Sequence, residues 1–250
     1  LYKLDKKYFE NFGCVVGDEA HLFKSKSLTT IMTKLINCKY RFGMTGTLDG
    51  TQTHRLVLEG LFGKVEKVTS TKQLMDKDTL ANLKIKCLVL KHKEEDCKAV
   101  KDLKYSDELQ YIVAHKTRND FISRLCDKLT GNTLCLYQLV EKHGLVLYNL
   151  MKDFDRKVFF IHGGTDTETR EKIRAITEKE TNAIIVASYG TFSTGINIRN
   201  LHNIVFASPS KSRIRVLQSI GRGLRKSDKG DIQTTLLDIA DDFTYKAVSY

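Results

Sequence analysis

Short apolar runs alternate along this chain with longer stretches whose apolar positions recur every three or four residues. Residues 14–16 (Cys-Val-Val) lead straight into Gly17-Asp18-Glu19-Ala20-His21, the pattern of a buried parallel strand with a polar loop at its carboxyl end. Residues 27–36 place Leu28, Ile31, Met32, Leu35 and Ile36 on one stripe and predict an amphipathic helix. A strand over 40–44 runs into Thr45-Gly46-Thr47, and a helix over 52–62 and a short strand over 65–68 complete this part. Residues 76–112 are unusually charged: after a brief alternation at 84–91, residues 92–104 are mostly Lys, Glu and Asp, which predicts a solvated inter-domain passage. Regular alternation then returns. The pattern predicts helices over 107–129, 140–152, 167–178 and 212–221, interleaved with strands over 133–137, 157–161, 183–188, 204–207 and 234–239. Strands alternating with helices imply βαβ units with right-handed crossovers. The fold class is therefore α/β: a doubly wound parallel sheet with flanking helices over 113–250, preceded by a further α/β segment over 1–75.

Composition narrows the function classes. The 250 residues are 41% hydrophobic and 28% charged, as in globular proteins that bury a sizeable core. A formal net charge of +11 favours a polyanionic partner, and residues 211–229 alone hold seven Lys or Arg against one Asp. Nucleic acid fits this better than a membrane, because no apolar run reaches the roughly 18 residues of a spanning helix. Without a signal-peptide start the expected location is the cytoplasm. Cys14, Cys38, Cys87, Cys97, Cys126 and Cys135 show no C-x-x-C spacing and read as small core residues. The histidines are scattered; only His21 and His162 stand next to chemistry-bearing neighbours.

Ligands of open α/β sheets bind outside the carboxyl ends of the strands. A carboxylate there can hold Mg²⁺ through its waters beside substrate phosphates, which suits Asp18, and its neighbour Glu19 can orient or deprotonate an attacking water. Some 200 residues on, Gln218-Ser219-Ile220-Gly221-Arg222-Gly223-Leu224-Arg225 sets two guanidiniums one helical turn apart. Such a pair can grip a phosphoryl group in transfer. Each element alone is commonplace. Together, D-E-A-H, T-G-T and Q-x-x-G-R-x-x-R in this order resemble motifs two, three and six of the superfamily-two helicases, most closely the DEAH-box-like group that remodels branched DNA and includes phage recombination helicases.

That resemblance implies a RecA-like fold for both parts and an ATP-dependent activity with Mg²⁺. It also implies roles. Asp18 would hold Mg²⁺, Glu19 would activate water, and Arg222 and Arg225 would stabilise γ-phosphate charge. Thr45, Gly46 and Thr47 would couple hydrolysis to domain movement, with His21 and Gln218 linking the two sides. Gln138 at the end of its strand resembles motif four, and His162-Gly163-Gly164 resembles the segment after it, where backbone amides at a helix N-terminus can grip a phosphate. Residues 188–197 resemble motif five, with Gly190, Thr191 and Thr194 against a nucleic-acid backbone and Gly195 and Asn197 toward the nucleotide. Asn197 departs from the Asp of many members. No G-x-x-x-x-G-K-[ST] phosphate loop occurs in the 250 residues, so the chain is expected to be the later portion of a longer protein, cut within its first motor domain. The implied partners are single-stranded, forked or branched DNA and RNA–DNA hybrids, acted on by a monomer. Two other classes share these features: a duplex-translocating motor subunit of a restriction or remodelling complex, and a non-catalytic nucleic-acid-binding module.

Overall fold

A computed structural model of the protein describes residues 1–46, 48, 51–70, 73, 83–195, 198, 200–210 and 233–243. The chain divides into two compact units, 1–70 and 71–250.

In the first unit, β1 (Cys14–Gly17) and β2 (Tyr40–Gly43) pair in parallel, from Cys14 opposite Tyr40 to Gly17 opposite Gly43. Helix α1 (Lys26–Lys34) joins them, and α2 (Gln52–Phe62) follows. In α1, Thr29 and Thr30 return their hydroxyls to the carbonyls of Ser25 and Lys26, which suits threonine on a solvent-facing turn. Leu35 leaves the helical region at φ −79°, ψ 58°, so the helix closes two residues before the expected end. Phe9, Met32, Leu35 and Cys38 form a small core with Val15, Phe23, Ile31, Leu61 and Phe62 against it. Two expectations change. Val16 is exposed rather than buried, because only one face of the two-stranded sheet is covered. The short strand expected over 65–68 is absent among the described residues, and Val68 is 94% exposed, so no apolar surface draws it into a ladder.

The second unit is built on a six-stranded sheet. Its strands are β3 (Leu83–Lys91), β4 (Thr133–Tyr137), β5 (Val158–Ile161), β6 (Ile184–Ser188), β7 (Asn203–Phe206) and β8 (Thr234–Asp242). They lie in the order β3-β8-β7-β4-β6-β5, and every pairing is parallel. Side chains of the central strands alternate between two buried faces, as a sheet covered on both sides requires. Leu134, Leu136, Ile185, Ala187, Ile204 and Phe206 pack on one face with Ile173, Tyr189 and Phe192, which belong to α7 (Thr167–Lys179) and α8 (Tyr189–Gly195). Cys135, Tyr137, Ile184, Val186, Val205 and Ile239 pack on the other with Ile122, Cys126, Leu147 and Met151 of α5 (Lys116–Lys128) and α6 (Leu145–Met151). The fold class is the expected one.

Three features of this unit differ from the sequence reading. The charged stretch read as a passage is largely structured: β3 runs the full length of β8, and α3 (Glu94–Val100) and α4 (Tyr105–Ala114) follow. Lys84, Lys86 and Lys91 mark an edge strand, where charge suppresses pairing with other chains, and this charge made the segment resemble a linker. The long helix over 107–129 is two helices, because His115 takes extended angles (φ −67°, ψ 111°) and its Nδ1 accepts the Arg118 amide at 3.3 Å. Ahead of α6, a π-turn over Val140–Gly144 wraps Tyr137, and a Cβ on Gly144 would stand 2.3 Å from that ring. Only glycine fits so close. The helix expected over 212–221 lies outside the described residues.

Candidate nucleotide and nucleic-acid sites

The acidic box sits where the strand pattern places it. Gly17 and Gly43 face one another at the ends of β1 and β2, and a Cβ on either would come within 2.9 Å of the Phe62 ring. Phe23 and Phe62 meet edge to face with centroids 5.0 Å apart, so the glycines let the strand ends press onto an aromatic floor. The ladder then extends beyond the strands: Met44 N–H donates to Gly17 O and Ala20 N–H to Met44 O, both at 2.8 Å. Between these anchors the chain turns outward. Asp18 Oδ1 accepts the Glu19 amide at 2.8 Å, and Glu19 is held at φ 48°, the one positive-φ residue other than glycine among the described residues. Such strain needs fixed surroundings to persist, and it concentrates at functional sites.

His21 lies buried beneath the box. Its Nδ1 stands 2.9 Å from Thr45 Oγ1 and 3.2 Å from Glu19 Oε2, so a proton assigned to Nδ1 faces both oxygens. The imidazole thereby ties Glu19 to the T-G-T loop. His54 of α2, buried one helical turn from Leu58, places its Nε2 2.9 Å from the backbone carbonyl of His21 and so fixes the backbone that carries the ring. Sequence reasoning passed over His54; its signal was a histidine on the apolar face of a predicted helix. Asp18 is exposed and Glu19 is half-exposed at the carboxyl end of β1. One oxygen of Asp18 caps its own turn while the other faces solvent, an arrangement that fits a hydrated Mg²⁺ ion. Gly46 is exposed with open space around it, and Thr47 lies outside the described residues.

In the second unit the candidate loops gather at the carboxyl ends of the strands. Gln138 ends β4. Its amide donates to Ser208 Oγ at 3.0 Å, which starts a directional chain through the interior. Ser208 Oγ lies 2.7 Å from His143 Nδ1, His143 Nε2 lies 3.2 Å from Asn119 Oδ1, and Asn119 Nδ2 donates to Val113 O. Asn119 Oδ1 can only accept, so the proton belongs on His143 Nε2 and Nδ1 accepts from the serine. Burial first, then the nearby Arg118 charge, push the His143 pKa down to about 3, so the ring stays neutral. Gln138 Oε1 is buried and has no hydrogen-bond partner among the described residues.

The loop after β5 is bound mostly to itself. Gly164 N–H donates to His162 Nδ1, His162 N–H to Thr165 Oγ1, and Arg170 Nη2 to the carbonyls of His162 and Gly163. Asp166 caps α7 by accepting from the amide and hydroxyl of Thr169. The helix N-terminus expected to grip a phosphate is therefore occupied by a carboxylate, and Gly163 is left as the exposed, uncrowded element of that loop. After β6 the structure forms α8 where a loop was expected. Ser188 Oγ accepts the Thr191 amide at 3.2 Å and lies 2.7 Å from Thr191 Oγ1, so Thr191 turns inward and is buried. Gly190 is exposed on the same turn, and Thr194 and Gly195 end the helix. Asn197, Gln218, Arg222 and Arg225 lie outside the described residues.

A comparison with known proteins matches residues 116–227 to the helicase conserved C-terminal domain. The chain is 36% identical over 252 residues to the ATP-dependent DNA helicase UvsW of Enterobacteria phage T4, which takes in 100% of this chain and 50% of that protein. The crystal structure of T4 UvsW aligns with a TM-score of 0.56 at 34% identity, over 97% of this chain and 47% of that one. The type ISP restriction-modification enzyme LlaBIII, solved bound to DNA, gives a TM-score of 0.61 at 15% identity over 92% of this chain and 18% of its own. That last likeness is one of fold alone. The chain spans about half the length of the curated relative it matches at 36% identity.

Proposed function

Because the chain belongs to the superfamily-two helicases, we propose that the full protein hydrolyses ATP to separate strands of forked or branched DNA and of RNA–DNA hybrids, acting as a monomer in recombination, repair and replication. The observation that carries this reading is the linkage of Glu19 through His21 to Thr45 at the carboxyl end of β1. A linkage of this kind supports Glu19 as the water-activating carboxylate and the Thr45 loop as the element that responds to it. Asp18 would hold a Mg²⁺ ion through water, and the chemistry such an ion would supply there is neutralisation of phosphate charge. Glu19 accepts a proton from, or orients, the attacking water. Arg222 and Arg225 stabilise the phosphoryl charge, and Gln218 completes their side. Gln138, Gly163, Gly190 and Thr194 contact the nucleic-acid backbone, and Gly195 and Asn197 line the nucleotide. No helix among the described residues is long and apolar enough to cross a membrane.

The test is Glu19→Gln in the full-length protein. Nucleotide and DNA binding should persist while hydrolysis and displacement of a strand from forked DNA fall together by orders of magnitude. Hydrolysis within a few-fold of the unaltered protein would remove Glu19 from the chemistry. Residues 1–250 by themselves, which carry no G-K-[ST] phosphate loop, should show no ATP turnover. DNA-stimulated turnover by this chain alone would refute the need for such a loop.

A further inference from the structure

Far from the motif loops, the end of β3, the first turn of α3 and the α4–α5 junction bring together His92, Asp96 and His115. One ligand atom from each lies within 4.8 Å of the other two. His115 Nε2 stands 3.4 Å from Asp96 Oδ2. A charge-assisted hydrogen bond would close to about 2.7–2.9 Å. Two ligands on a tetrahedral ion with bonds of about 2.0–2.1 Å stand about 3.3–3.4 Å apart, which is the separation seen here.

The surroundings of the three groups match those of metal ligands. His92 Nε2 lies 2.8 Å from Asp241 Oδ1, so this nitrogen carries the proton and Nδ1 is left for an ion. A carboxylate on the far nitrogen fixes the tautomer and raises ligand basicity, the usual outer partner of a metal-bound imidazole. Phe243 stacks on the same ring at 4.2 Å and holds its plane. Tyr111 donates to Asp96 Oδ1 at 2.7 Å, which orients the carboxylate and leaves Oδ2 turned toward His115. The side chains of His115 and Asp96 are 18% and 22% exposed and that of His92 is 5%, so an ion has a route in while its innermost ligand is packed. Nearby, Asp96 and Asp241 carry two negative charges against the one positive charge of Arg118.

We propose that His92, Asp96 and His115 form a binding site for one Zn²⁺, or a similar borderline divalent ion, with a water in the fourth position. Two imidazoles and a carboxylate suit such an ion better than Ca²⁺ or Mg²⁺, which prefer oxygen donors. An ion there would tie the residue after the edge strand β3 and the first turn of α3 to the helix junction at His115. On binding, the His115 proton moves from Nε2 to Nδ1, which gives up the long cap from the Arg118 amide.

The experiment titrates the chelator-stripped chain with ZnCl₂ by calorimetry, and with CoCl₂ by visible absorption. One ion per chain should bind, with the intense d–d absorption of four-coordinate cobalt. Asp96→Asn keeps an oxygen for Tyr111, and His115→Gln alters a different element, so misfolding of one leaves the other to decide. Loss of an outer partner costs roughly 10–100-fold in affinity, and either ligand variant should lose more than that while matching the metal-free unaltered chain in thermal unfolding. Cys14 and Cys87 are exposed thiols, so the double variant Cys14→Ser/Cys87→Ser serves as control and should bind as before. The proposal falls if the unaltered chain takes up no ion, if both ligand variants bind as tightly as it does, or if binding vanishes only in the cysteine variant.

Discussion

Arg118 and Asp241 form the most deeply placed ion pair among the described residues, with side chains 0% and 1% exposed. Arg118 Nε donates to both oxygens of Asp241 at 2.9 and 3.0 Å, and Nη1 donates to Ala207 O at 2.7 Å, so one side chain clamps α5 to the ends of β7 and β8. Arg118→Met keeps much of the volume but strands a buried carboxylate whose remaining charged-capable partner is His92. Removing one member of a buried pair costs about 3–5 kcal/mol. A second change, Arg118→Met/Asp241→Asn, removes the uncompensated charge and keeps an oxygen for His92, so it should recover at least about 1 kcal/mol. Urea denaturation followed by far-UV circular dichroism gives the free energies, and hydrogen exchange in α5 and β8 locates the loss. The sign with pH is also fixed. Burial pushes the Asp241 carboxyl up, but the His92 hydrogen bond and the Arg118 charge outweigh it and hold it below the ordinary carboxylate range. Its contribution is present above the unfolded value near 3.9 and is lost as pH falls through the folded one. The penalty of Arg118→Met should therefore shrink toward acid, where the stranded group is neutral. A single variant within about 1 kcal/mol of the unaltered chain at pH 7, or a double variant no better than the single, would refute the argument.

His143, neutral and buried with a pKa near 3, contributes stability that is complete above an unfolded value of about 6.5 and declines between there and about 3, by about 1.4 kcal/mol per pH unit. His143→Gln should flatten the acid side of the stability profile by that slope, and an unchanged slope counts against the assignment. Gly144→Ala forces the buried Tyr137 ring aside and endangers its hydrogen bond to Ile161 O, at a cost of about 1–3 kcal/mol seen as a lower melting temperature; an unshifted melt would mean that the π-turn yields freely. In the full protein, Arg222→Ala or Arg225→Ala should cost roughly 10³–10⁵ in hydrolysis with DNA affinity barely moved. A loss of DNA affinity with hydrolysis kept would place these residues with the basic surface of 211–229 instead.

The chain by itself determined the alternation of strands and helices, because the continuous apolar runs of strands buried on both faces and the near-period-four stripes of helices must be written locally into the residues that face a core. It likewise located the acidic box, since the apolar run before Asp18 and Glu19 does form a strand that ends at Gly17. The linear pattern did not distinguish a linker from β3: an edge strand and a solvated passage share lysine-rich alternation, and only pairing with β8 separates them. Nor did it break the long helix at His115, where the helical period continues across a residue that the packing turns aside. Thr191 read as a contact for a nucleic-acid backbone, yet the turn that opens α8 sets it on Ser188 three residues back and the packing around it buries it. The same holds for the chain from Gln138 to Val113 and for the grouping of His92, Asp96 and His115. Their members are scattered in sequence, and what joins them is the order in which a parallel sheet stacks strands far apart along the chain.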